Sequence, residues 1–129
     1  MEPRKPQVLV VEDNDEIRVL LCLILEEAGY EVADARDGYE GLLRMSEGRY
    51  HAVLTDYRMP GMDGLQLLKA IKTWWPQTPV IFVSGATGTP QFHAREQGAC
   101  GWIGKPWGNA HLLHTVQQAI QGCVPASIT

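Results

Sequence analysis

The chain contains no apolar run approaching the ~20 residues a helix needs to span a bilayer. Its opening stretch, Met1–Pro6, has no hydrophobic region of the signal-peptide kind. Neither feature points to a membrane. Basic clusters are missing as well: 11 Lys and Arg stand against 15 Asp and Glu, for a formal net charge of −4. Without a Lys/Arg patch there is no footprint for a phosphate backbone, so no direct nucleic-acid partner is expected. Cysteine is scarce. Cys22, Cys100 and Cys123 are odd in number, far apart and without metal-ligand spacing. Cys22 falls inside an apolar helical pattern, where a small buried thiol is the ordinary reading, and a reduced, cytoplasmic setting is expected. His51, His93, His111 and His114 are scattered and read as surface or boundary residues. Linkers, low-complexity stretches and internal repeats are also lacking.

What is present is an ordinary globular composition, 45% hydrophobic and 20% charged over 129 residues. One domain is expected over residues 1–129, with a core of about 7–122, burying roughly two thirds of the surface its unfolded chain exposes. Strand and helix signals alternate five times. Gln7–Val11 is an apolar run ending in acids. Ile17, Leu20, Leu21, Ile24, Leu25 and Ala28 then recur at helical spacing, and Gly29 supplies a stop. Tyr30–Ala35 is a second strand; Asp37 and Glu40 form a capping-box pattern for a helix that Gly48 ends. Ala52–Thr55 is a third strand, followed by a Gly/Pro loop over Met59–Gly64. Leu65, Leu68 and Ile71 mark a third helix closed by Trp75–Pro76, where one of Trp74 and Trp75 packs and the other remains partly exposed. Val80–Val83 is a fourth strand. A weakly patterned helix runs over Pro90–Gln97 with Gly98 after it. Trp102–Ile103 is a fifth strand, and Leu112, Leu113, Val116 and Ile120 give a last helix. Short apolar strands alternating with helices imply an α/β, doubly wound, five-stranded parallel sheet of the (βα)5 kind, covered on both faces. Ligands of such sheets sit beyond the carboxyl ends of the strands.

Three acids lie at those ends: Glu12 and Asp13 after the first strand, and Asp56 after the third. Carboxylates gathered in a cleft repel one another unless a cation neutralises them. Oxygen-only ligands favour a hard cation such as Mg2+. Each acid taken alone is a solvated loop residue or a cap, and Asp13 or Asn14 suits the start of the first helix. Ser84 ends the fourth strand and Lys105 the fifth. Alone they read as a turn residue and a surface charge. Together with the acids they describe a phosphoryl site, with a carboxylate nucleophile, a hydroxyl donor and a cation.

The stretches VLVVEDNDEIR (Val8–Arg18), LTDYRMPGMDG (Leu54–Gly64), VIFVSGA (Val80–Ala86) and GWIGKPW (Gly101–Trp107) resemble the signature blocks of response-regulator receiver domains, in order and across nearly the whole chain. The resemblance implies a flavodoxin-like strand order of 2-1-3-4-5 and Asp56 as phosphoacceptor. It implies Asp13 and Asp56 as Mg2+ ligands (Mn2+ substituting), Glu12 acting mainly through water, and the backbone carbonyl of Arg58 completing the set. Lys105 would pair with the phosphoryl group, before a cis bond to Pro106, and Ser84 would be the switch hydroxyl. Trp102 falls where the family carries Tyr or Phe as a second switch; its larger indole, with an N–H to satisfy, is a departure. Arg58 and Ala86 fall at positions that, by the same resemblance, tune phosphoryl lifetime in that family. The implied partners are a histidine kinase or histidine phosphotransfer protein and a downstream effector reached through the fourth helix, fifth strand and fifth helix, over Pro90–Ile120. A homodimer through the same face is a further expectation. No turnover enzyme is implied, beyond the domain's own phosphorylation and dephosphorylation.

Other readings fit less well. A haloacid-dehalogenase-like phosphatase would use Asp13 as nucleophile and Asp15 as acid/base, leaving Asp56 idle. A flavodoxin-like cofactor carrier needs a Ser/Thr/Gly-rich phosphate loop where Glu12-Asp13-Asn14-Asp15 stands. A receiver that has lost phosphorylation normally lacks one of the five key residues, and all five positions are filled here. A calcium EF-hand loop starting at Asp13 would put its glycine at Arg18 and its terminal glutamate at Ile24.

Overall fold

The computed structural model describes residues 5–86 and 88–122. Five strands alternate with five helices: β1 (Gln7–Val11), α1 (Asp15–Glu27), β2 (Glu31–Ala35), α2 (Gly38–Glu47), β3 (Ala52–Thr55), α3 (Gly64–Trp74), β4 (Val80–Ser84), α4 (Thr89–Glu96), β5 (Gly101–Gly104) and α5 (Asn109–Gly122). The strands form one parallel sheet in the order β2-β1-β3-β4-β5.

The apolar runs in the strands are continuous because both sheet faces are covered, and the two-residue period divides each strand between two cores. Leu9, Val11, Val53, Val80 and Phe82 face one way, against Met45, Leu67, Leu68 and Ile71 from α2 and α3. Val8, Val10, Leu54, Ile81, Val83 and Ile103 face the other way, against Leu21 and Leu25 of α1 and Leu112 and Val116 of α5. Fully burying each such side chain stabilises the fold by about 1.5–3 kcal/mol.

Local chemistry sets the helix starts. Asn14 caps α1, its side-chain oxygen accepting from the Ile17 N–H at 3.0 Å. Asp37 caps α2 through the Glu40 N–H at 2.8 Å. The expected reciprocal bond is absent there, since Glu40 Oε1 accepts from the Arg36 N–H instead. The complete capping box lies at α3. Asp63 accepts from the Gln66 N–H, and Gln66 Oε1 accepts from the Asp63 N–H, fixing the helix start that ends the Gly/Pro loop. α4 begins at Thr89 with Pro90 in its first turn, following Gly88 at φ 73°. It is one residue earlier than the sequence periodicity implies, as β5 is one residue longer at each end. Trp75 packs against the core while Trp74 is exposed, and all four histidines are exposed.

Candidate functional site

Sheet register brings the acids together. Val11 pairs with Ala35 on one side and with Thr55 on the other, so Glu12 and Asp56 are the next residues on adjacent strands. Backbone bonds carry the pairing past the strand ends, from Glu12 N–H to Ala35 O at 3.0 Å and from Asp56 N–H to Val11 O at 3.2 Å. Oxygens of Glu12, Asp13 and Asp56 all lie within 4.8 Å of one another. Glu12 is buried, Asp13 exposed and Asp56 between the two.

Lys105 arrives from the opposite end of the chain. Ser84 pairs with Gly104, and the Lys105 N–H continues the ladder to Ser84 O at 3.1 Å. The Lys105–Pro106 peptide is cis. From there the Lys105 ammonium donates to Glu12 Oε1 at 2.8 Å and to Asp56 Oδ2 at 3.0 Å. Ser84 is buried at the same edge, its Oγ accepting from the Ala86 N–H at 3.2 Å. Arg58 is exposed in the loop that follows Asp56.

Charge follows geometry. Burial pushes the Glu12 carboxyl above its ordinary pKa, against the lowering pull of the Lys105 hydrogen bond and the Asn14 N–H, with Asp56 adding repulsion. Burial would lower the Lys105 pKa, but its bonds to Glu12 and Asp56 more than reverse that and raise it. The cluster is thus short of positive charge. Its donors are carboxylate oxygens, among the described residues no His or Cys joins them, and the set fits a hard divalent cation.

Sequence reasoning missed two neighbours. Tyr57 donates its N–H to Asp56 Oδ1 at 2.7 Å. Its ring meets Phe82 and Trp102 at centroid distances of 6.0 and 5.8 Å, and Phe82 stacks on Trp102 at 5.3 Å. The indole N–H of Trp102 is buried with no partner. Arg18, noted in the sequence only as a misfit for a calcium loop, is buried and bonded to Glu12 O, Asp15 and Asp34. Its signal was the i, i+3, i+7 spacing with Leu21 and Leu25, which puts it on the inner stripe of α1. Cys22 is a half-buried free thiol that burial pushes up to about 11, so it stays protonated and inert.

Comparison with known proteins agrees with this geometry. A family model described as "Response regulator receiver domain" matches residues 8–117. An uncharacterised transcriptional regulatory protein of Bacillus subtilis, YkoG, is 35% identical over 118 residues, which are 91% of this chain and 52% of that protein. The transcriptional regulatory protein GlrR of Escherichia coli is 31% identical over 98% of this chain and 29% of its own length. The chain thus spans about half or less of these curated relatives. Among solved structures, the chemotaxis protein CheY4 of Vibrio cholerae superposes with a TM-score of 0.85 at 32% identity, covering 90% of this chain and 99% of that one. A CheY-like receiver domain protein of Methanospirillum hungatei gives 0.88 at 28% identity, over 92% and 95% of the two chains.

Proposed function

The chain belongs to the response regulator receiver domain family, and from that premise we propose that Asp56 takes a phosphoryl group from a phosphohistidine on a histidine kinase or histidine phosphotransfer protein. The observation that carries the assignment is the Lys105 ammonium, bonded at once to Asp56 and Glu12 at the carboxyl edge of the sheet.

An Asp56 carboxylate oxygen attacks phosphorus, the phosphorus–nitrogen bond of the phosphohistidine breaks, and the imidazole nitrogen leaves with its electron pair. Tyr57 holds the other Asp56 oxygen through its N–H, which orients the nucleophile. Asp13, Asp56 and the backbone carbonyl of Arg58 would hold Mg2+, or Mn2+, with Glu12 acting through water; when bound, the cation supplies charge neutralisation for the transferred group. Lys105 neutralises the phosphoryl oxygens from the other side. Ser84 accepts one bond and so retains its hydroxyl proton for donation to a phosphoryl oxygen.

The acyl phosphate carries a charge of about −1.5 to −2 where the carboxylate carried a single negative charge, and it draws on Ser84 at the end of β4 and Lys105 just past β5. The shift biases the α4-β5-α5 surface, with Trp102 as its second mobile group, toward a form that an effector domain, an effector protein or a second copy of the chain recognises. Slow self-catalysed hydrolysis resets Asp56, and exposed Arg58 screens the acyl phosphate from water. The cycle runs in the cytoplasm, in the unit spanning about residues 7–122. The test is treatment with acetyl phosphate and Mg2+, read by intact mass. One phosphoryl adduct is expected, located on Asp56 by peptide mapping and absent from Asp56→Asn. An adduct that survives in Asp56→Asn, or that maps to Asp13, overturns the assignment.

A further inference from the structure

Resting on the reading above, we propose that Arg18 is a positioning residue for the cation site, holding the Glu12–Asp13 peptide so that both acids meet Asp56. Three bonds support this. Nη1 donates to the backbone carbonyl of Glu12 at 3.0 Å, Nε to Asp34 Oδ2 at 3.1 Å and Nη2 to Asp15 Oδ1 at 2.6 Å. One guanidinium therefore ties the end of β1 to the first turn of α1 and to β2. The peptide unit is planar, so fixing the Glu12 carbonyl fixes the plane from which Asp13 departs. On the other side of that loop, the Asn14 N–H donates to Glu12 Oε2 at 3.0 Å and the Arg18 N–H to Asn14 O at 2.9 Å.

The Arg18 side chain is only 10% exposed, a rare placement for a long cation. It is also a placement with an electrostatic disadvantage, because a positive charge near a cation site weakens attraction there. Asp15 and Asp34 offset that charge and orient the fork. Lysine has no planar fork and would not span the three acceptors. The two effects of Arg18, holding the loop and repelling the cation, have opposite signs, which makes the inference testable.

The experiment is a Mg2+ titration of wild type, Arg18→Lys, Arg18→Met and Asp34→Asn, followed by tryptophan fluorescence, with phosphorylation by acetyl phosphate measured across the same Mg2+ range. Positioning requires both Arg18 variants to bind Mg2+ about 10-fold more weakly. The half-saturating Mg2+ for phosphorylation should rise in parallel, while the extent at saturating Mg2+ stays near wild type. A loss of folded protein would instead lower the extent without moving half-saturation. Asp34→Asn, on a half-exposed side chain, should weaken binding in the wild-type background and leave it unchanged in the Arg18→Met background; it also serves if Arg18→Met fails to fold. Unchanged affinity in Arg18→Lys, or tighter binding in Arg18→Met, overturns the inference. Failure of wild type to respond to Mg2+, or an equal response in Asp13→Asn, instead overturns the reading on which it rests.

Discussion

The Lys105 ammonium stands 3.0 Å from the Asp56 carboxylate, and the same nitrogen reaches Glu12 at 2.8 Å. It occupies the position of a counter-ion in the acid cluster, so it competes with any divalent cation for the same oxygens. Lys105→Met should therefore tighten Mg2+ binding, by about 3- to 10-fold given a screened interaction at this depth. Phosphorylation should become slower in the same variant, because the transferred group loses its cation. Fluorescence titration and the rate of acetyl phosphate labelling measure the two effects. Weaker Mg2+ binding would show that Lys105 organises the acids rather than competing for them.

Glu12 carries a charge that the fold does not favour. Its folded pKa is raised, chiefly by burial, so its contribution to stability is complete below the unfolded value of about 4.5 and is lost as pH rises through the higher folded value. Without Mg2+, Glu12→Gln should melt above wild type at neutral pH, by about 3–5 °C for each kcal/mol relieved. The gap should close as pH falls toward 4.5. Saturating Mg2+ should narrow or reverse the gap, stabilising wild type more than the variant, which keeps the direct ligands and loses the acid that acts through water. Thermal melts at a series of pH values from about 4 upward check this; a gap that is constant with pH would locate the effect elsewhere.

Trp102 holds a buried N–H with no partner, which costs about 1–3 kcal/mol, while its ring gains from stacking on Phe82. Trp102→Phe removes the unpaired donor and keeps an aromatic face, so urea unfolding should place it within about 1 kcal/mol of wild type. Phe82→Ala, in the same stack, should cost about 3–5 kcal/mol. A loss of that size in Trp102→Phe would mean that indole packing outweighs the orphaned donor.

Much of the fold was legible because periodicity and turn chemistry report burial directly. The continuous runs Val8–Val11 and Val80–Val83 announce strands covered on both faces, and the five key side chains follow from strand ends plus motif resemblance. Tertiary pairing decided the rest. Glu40 matched a capping box, yet its carboxylate turned to Arg36, whereas the working box joins Asp63, at the end of the stretch read as loop, to Gln66 in the helix that follows. Arg18 and Tyr57 were missed because the contacts tying them to the acids run through backbone atoms, Glu12 O and Tyr57 N; the spacing of Arg18 with Leu21 and Leu25 marks its burial and not its partner.

Gly64 shows how closely the helix start is set against the acceptor. Its N–H donates to Tyr57 O at 2.8 Å. A Cβ added there would collide with the Asp56 carbonyl oxygen and lie 2.7 Å from the Phe82 ring. Neither is the tip of a flexible side chain, so relief must come from moving α3 or the Asp56–Tyr57 backbone. Gly64→Ala should cost at least about 2 kcal/mol and, in the fraction that remains folded, slow phosphorylation by displacing Asp56 from Lys105. Gly85→Ala is the control. Nothing lies within 4 Å of its added Cβ and its φ is not in the left-handed region, so stability should stay within about 0.5 kcal/mol. Urea unfolding of both variants beside acetyl phosphate labelling decides the matter, and a Gly64→Ala protein as stable and as readily labelled as Gly85→Ala would show that α3 is not braced against the acceptor strand.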